Sequence, residues 1–154
     1  MSSHLYFYTK NVVFQEVPNE VSLSFSIAGC PKGCKNCSWK GLNLNPNELT
    51  DDIYCDLLNK YKGYASCVLF LGGDWNKDAL IDDLKRAKQA GYKTCLYTGS
   101  DDVSDDIKQQ LDYLKVGPYI ESRGGLNSPT TNQKFIDLKN NKVLNKYFIK
   151  SEVK

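Results

Sequence analysis

Apolar and polar positions alternate along the first third of the chain, with β-branched and aromatic residues over Leu5 to Tyr8, Val12 to Val17 and Val21 to Ile27. A period of two in that composition predicts strands, with Pro18, Asn19 and Glu20 as an intervening turn. Past Asp51 the period lengthens. Ile53, Leu57, Leu58 and Tyr61 recur at helical spacing behind Thr50, an N-cap, and an acidic first turn of Asp51 and Asp52. The unbroken apolar run SCVLFLGG, Ser66 to Gly73, then predicts a strand buried on both faces. A second helix follows from Asn76, with Ala79, Leu80, Leu84 and Ala87 as its inner stripe and Gly91 as its stop. YKTCLYTG, Tyr92 to Gly99, repeats the strand that ends in glycine.

A third helix is predicted from Ser104 to about Leu111, a short strand over Tyr113 to Val116, and two final strands over Phe135 to Leu138 and Lys146 to Lys150. The order strand, helix, strand, helix, strand predicts an α/β fold with a mostly parallel sheet and right-handed crossovers. The 154 residues suit one domain over the whole chain but fall short of eight βα units, so an open or partial barrel is expected.

Charge narrows the partners. Twenty basic and 18 acidic residues leave a net charge of +2, and among the basic ones only Arg86 and Arg123 are arginine. A surface so balanced, with few planar forks for phosphate or base edges, argues against nucleic acid. No stretch approaches the roughly 20 apolar residues of a membrane span, and MSSHLYFYTK lacks the form of a signal peptide, so a cytoplasmic protein is expected.

Six cysteines in a reducing compartment point to metal binding before disulfides. Three of them, Cys30, Cys34 and Cys37, fall within eight residues of GCPKGCKNCSW, inside a glycine-, proline- and asparagine-rich loop over residues 28–47. That loop directly follows a predicted strand, the place where ligands gather in parallel α/β architectures. Structural zinc takes four ligands, commonly from two separated C-x2-C pairs, and no second pair exists here. The single histidine, His4, is distant in sequence, while Cys55, Cys67 and Cys95 read as small core residues. Closed electron-carrying clusters use a fourth cysteine. A [4Fe-4S] cluster on three thiolates, with one iron left for a ligand, fits the count. Zinc, or three incidental or disulfide-forming cysteines, are the other readings at this point.

The C-x3-C-x2-C spacing resembles the signature of the radical S-adenosylmethionine (SAM) enzymes. FLGGD, Phe70 to Asp74, is similar to their Gly-Gly-Glu motif with Asp74 in place of Glu, and LYTG, Leu96 to Gly99, to the segment before a cofactor-contacting loop. VGPYIESRGGLNSPTTNQKFIDL, Val116 to Leu138, resembles the DGPY and SSNQR(I/V)ID ending of the anaerobic ribonucleotide reductase activating proteins. Gly117, Pro118, Tyr119, Asn132, Gln133, Ile136 and Asp137 fall on that pattern, with Thr131 and Lys134 replacing Ser and Arg. Asn36 stands where many members of the wider superfamily carry an aromatic residue.

The resemblance implies a radical SAM domain in which Cys30, Cys34 and Cys37 hold a [4Fe-4S] cluster. Gly72, Gly73 and Asp74 then hold the amino group of SAM, with Asn36 (by its backbone) and Thr98 as further cofactor contacts. It implies reductive cleavage of SAM to methionine and a 5'-deoxyadenosyl radical, which takes hydrogen from a glycine α-carbon of the partner reductase. No general acid or base is implied. The partners are the catalytic subunit of an anaerobic ribonucleotide reductase and an electron donor such as flavodoxin or ferredoxin, with Tyr119, Asn132 and Gln133 near the barrel mouth. Two other classes keep some of these features: a radical SAM enzyme for another substrate, and a non-catalytic iron-sulfur or zinc module.

Overall fold

The structure, a computed structural model, describes residues 4–14, 17, 20–27, 47–74, 76–100, 102–117, 122, 126 and 131–145. The chain runs β1 (Tyr6–Val13), β2 (Ser22–Ile27), β3 (Asn47–Glu48), α1 (Asp51–Tyr61), β4 (Cys67–Leu71) and α2 (Lys77–Gln89). It continues with β5 (Lys93–Tyr97), α3 (Asp105–Lys108), β6 (Tyr113–Val116), β7 (Lys134–Asp137) and β8 (Lys142–Val143). The strand expected over Lys146 to Lys150 lies outside the described residues, as does the loop expected over residues 28–47 except for Asn47, which opens β3 instead.

Among the described residues one eight-stranded sheet forms in the order β3-β1-β2-β4-β5-β6-β7-β8, with β3 and β8 at its two edges. Its centre is parallel, β2 to β4 to β5 to β6, as the strand-helix alternation predicts. The sheet as a whole is mixed and not mostly parallel, since four of its seven pairings, those of β1, β3, β7 and β8, are antiparallel. Connection length gives the reason at one flank: residues 14–21 between β1 and β2 are too few for a crossover, which takes roughly a dozen or more. The first two predicted strands are one. β1 runs on through Tyr8 and Thr9, with an irregular register between Phe7 and Thr9, and Val17 stays outside it.

All three helices contribute their buried apolar residues to one face of the sheet. Tyr54, Leu57 and Leu58 of α1, Ala79, Leu80, Leu84 and Ala87 of α2 and Ile107 of α3 pack with Leu23, Phe25, Val68, Phe70, Leu96 and Leu114. Phe25 stacks on Phe70 at 5.5 Å and meets Tyr54 edge-on at 5.8 Å, while the Tyr54 hydroxyl donates to the Asp83 carbonyl at 2.6 Å and ties α1 to α2. The opposite face carries a smaller cluster of Val17, Cys67, Leu69, Cys95 and Phe135, to which no helix among the described residues contributes.

Thr50 caps α1 as predicted, accepting from the Ile53 amide at 3.3 Å. Leu57, Leu58 and Tyr61 face the core as expected, but the first position of the stripe shifts by one residue. Tyr54 is buried and Ile53 is 40% exposed, because the large ring fills the space beside Phe25 and Phe70. Cys55 is consequently exposed and not a core residue, whereas Cys67 and Cys95 are buried. No helix among the described residues is long and apolar enough to cross a membrane.

Candidate functional site at the carboxyl edge of the parallel strands

Register places the ends of the central strands side by side. Ser26 pairs with Leu71, Leu71 with Tyr97, and Tyr97 with Lys115, so the residues that follow each emerge at one edge. β2 ends at Ile27 and the chain then enters the segment that carries Cys30, Cys34, Asn36 and Cys37, which lie outside the described residues. Its neighbour β4 ends in Gly72, Gly73 and Asp74, and β5 in Thr98, Gly99 and Ser100.

Gly72 and Gly73 have φ of +100° and +110°, a pair of conformations that a side chain would strain. Space is not the reason at Gly73, where an added Cβ would make only ordinary contact with Leu5 and Leu80 at 3.6 Å. The Gly72 amide donates to the Tyr97 carbonyl at 2.9 Å, and the Gly73 carbonyl accepts from the Asn76 amide at 3.0 Å. Asn76 opens α2 without capping it through its side chain, which instead donates to the His4 carbonyl at 3.3 Å.

Asp74 and Thr98 meet across the two strand ends. The buried Thr98 hydroxyl donates to Asp74 Oδ2 at 3.1 Å and accepts from the Ser100 amide at 3.0 Å. A carboxylate has about four acceptor sites, so Asp74 keeps capacity for a further donor. An ammonium group, with three donors and no acceptor, suits such a turn. Sequence reasoning names Asp74 and Thr98 separately and misses both their contact and Ser100. Two parallel strands ending alike, in FLGGD and LYTG, were the available signal for it.

The two halves of the long C-terminal motif also converge. β6 and β7 pair so that Val116 lies opposite Lys134, and the Gln133 side chain donates to the Gly117 carbonyl at 3.2 Å. Gly117 has φ of +102°, and a Cβ there would lie 3.2 Å from the Asn132 carbonyl oxygen and from Gln133 Cα. The Gly117 amide in turn donates to the Ser100 carbonyl at 2.8 Å, which links this pair to the Asp74 side of the edge. Pro118 and Tyr119 lie outside the described residues.

Other candidates separate from this edge in character. Burial raises the Cys67 thiol to about 12 and that of Cys95 well above its ordinary range, so both are held as protonated core groups. His4 pairs with Glu48 at 2.7 Å and Asp51 at 3.2 Å, and Asp51 also takes Arg86 at 2.6 Å. Among the described residues no group of three or more His, Cys, Asp or Glu is placed to hold a metal ion. No family model, curated protein or solved structure matches the chain.

Proposed function

We propose that the chain is a radical SAM activating enzyme that generates a glycyl radical on an anaerobic ribonucleoside-triphosphate reductase. The observation that carries it is the meeting, at one edge of the sheet, of the β2 exit into the three-cysteine segment with the Gly72–Gly73 turn and the Asp74–Thr98 pair. The order of residues from Val116 to Leu138, with Gly117 packed on Asn132 and Gln133, supports the reductase as substrate over a small molecule. Helices confined to one face of a sheet with a parallel centre support an open barrel of the radical SAM type.

Cys30, Cys34 and Cys37 would hold the [4Fe-4S] cluster, and Gly72, Gly73 and Asp74 would take the ammonium group of SAM, with Asn36 contributing its backbone. Bound together, cluster and SAM supply one-electron cleavage of the sulfonium and, through it, removal of hydrogen from a glycine α-carbon. The chain binds and orients these groups and keeps water from them. A glycine-bearing loop of the reductase has to reach the reacting carbon at contact distance, which suits a small domain with an open mouth. A reductant such as flavodoxin or ferredoxin and a cytoplasmic, reducing setting belong to the same proposal.

The test is anaerobic. The protein is reconstituted with iron and sulfide, reduced, and mixed with SAM and the reductase, and 5'-deoxyadenosine and the glycyl radical are quantified. Both are expected, and both should vanish in Cys34→Ala. Full iron loading and SAM cleavage in Cys34→Ala, or zinc in place of an iron-sulfur cluster, would overturn the assignment.

A further inference from the structure

We infer that Thr98 is a positioning residue: its hydroxyl fixes the Asp74 carboxylate as acceptor for the ligand's ammonium group and does not itself bind the ligand. This rests on the proposed SAM site. Thr98 is 2% exposed, and its hydroxyl is committed twice within the protein, donating to Asp74 Oδ2 at 3.1 Å and accepting the Ser100 amide at 3.0 Å. A hydroxyl has one proton to donate, and that donation is already made to Asp74.

The arrangement suits the shorter carboxylate of this chain. Asp74 follows two glycines at positive φ on a turn, and a half-buried carboxylate there has several staggered rotamers to choose from. The bond from Thr98 selects one of them. Thr98 is itself anchored, since its amide donates to the Lys115 carbonyl of β6 at 2.9 Å. Asp74 is thereby referenced to two neighbouring strands, β5 and β6, as well as to its own. Preorganisation of this kind strengthens a charge contact by removing the ordering that binding would otherwise require.

Hydrogen bonds to charged groups are worth enough that losing this one should weaken SAM binding about tenfold or more. The test measures affinity by equilibrium dialysis on the reconstituted, unreduced protein, for SAM and for a SAM analogue lacking the α-amino group. Thr98→Val is expected to weaken SAM about tenfold and the analogue less than about threefold, while Thr98→Ser restores SAM binding to within about threefold. In Asp74→Asn, adding Thr98→Val should change SAM affinity little, because the group it orients has lost its charge. Thermal melting checks the fold, and Thr98→Ala replaces Thr98→Val if the valine protein does not fold. Equal losses for SAM and the analogue, or no loss for SAM, would overturn the positioning role while leaving the site standing. A wild-type protein that binds neither ligand, or both equally, would remove the ammonium site and the inference with it.

Discussion

At the amino edge of the parallel strands Glu20 lies buried, taking the Ser66 hydroxyl at 2.6 Å on one oxygen and Tyr113 at 3.3 Å and Lys93 at 3.1 Å on the other. At the carboxyl edge Asp74 is half-buried and takes Thr98 on one oxygen. The first carboxylate has partners on both oxygens, drawn from Ser66 just before β4, from β5 and from β6, so it joins the starts of three strands. The second is held in place and still able to accept. Glycines divide in the same way. Gly63 and Gly91 precede β4 and β5, have open space around them and turn the chain out of helices, whereas Gly72, Gly73 and Gly117 directly follow strands. One edge is closed by its own hydrogen bonds, and the other leaves backbone and a carboxylate with acceptor capacity at the strand ends, where the proposed ligand would sit.

The contrast breaks most sharply at Glu20. Glu20→Ala deprives Ser66, Tyr113 and Lys93 of their acceptor and should lower unfolding free energy by about 2–3 kcal/mol, with SAM affinity of the folded protein unchanged. Urea denaturation beside ligand dialysis separates the two effects. A large loss of affinity at constant stability would mean that the edges are not independent.

Gly117→Ala comes next, at about 1–3 kcal/mol, because it combines a positive φ with a Cβ 3.2 Å from the Asn132 backbone. Gly91→Ala, with φ of +95° but nothing within 4 Å, should cost about 1 kcal/mol. Equal losses at the two positions would show that conformation alone, and not the approach of Asn132, requires glycine at 117.

The last effect depends on pH and vanishes at its acid end. Asp83 is buried on α2, its Oδ2 has no hydrogen-bond partner, and burial raises its pKa to about 7. Unfolded, it would titrate near about 3.9. Between these values the folded state holds the proton more tightly, so stability from this group is full below about pH 4, falls as pH rises and is level above about pH 7. His4 acts in the same direction. Burial opposes its charge, but its bonds to Glu48 and Asp51 prevail and raise its pKa, so its stabilisation is lost as pH climbs through the raised value. Asp83→Asn should flatten the slope and stabilise the protein by about 1–2 kcal/mol at pH 8 while changing little at pH 4. Melting curves at the two pH values check it, and an unchanged slope would assign the pH dependence elsewhere.

Local pattern carried far in this chain. The run through SCVLFLGG marks a doubly buried strand, Thr50 marks a helix start, and the stripe of Ala79, Leu80, Leu84 and Ala87 marks the buried side of α2, because each depends on neighbours within a few residues. The inner side of α1 was less legible. The shift of its first position to Tyr54 depends on the space beside Phe25 and Phe70, which neither helical spacing nor hydrophobicity records. β3 and β8, two residues each, carry too little periodicity to be read at all.

By itself the sequence determined the alternation of strands and helices, the buried runs of the central sheet, and the residue types gathered after strand ends. Tertiary structure decided what those residues do to one another. The antiparallel flanks, the Asp74–Thr98 contact, the Gly117–Gln133 contact and the closure of Glu20 by Tyr113, 93 positions away, all join segments distant along the chain. Periodicity reports the face a residue turns toward the core. Strand order and register, set by packing across the whole sheet, determine which distant residue it meets there.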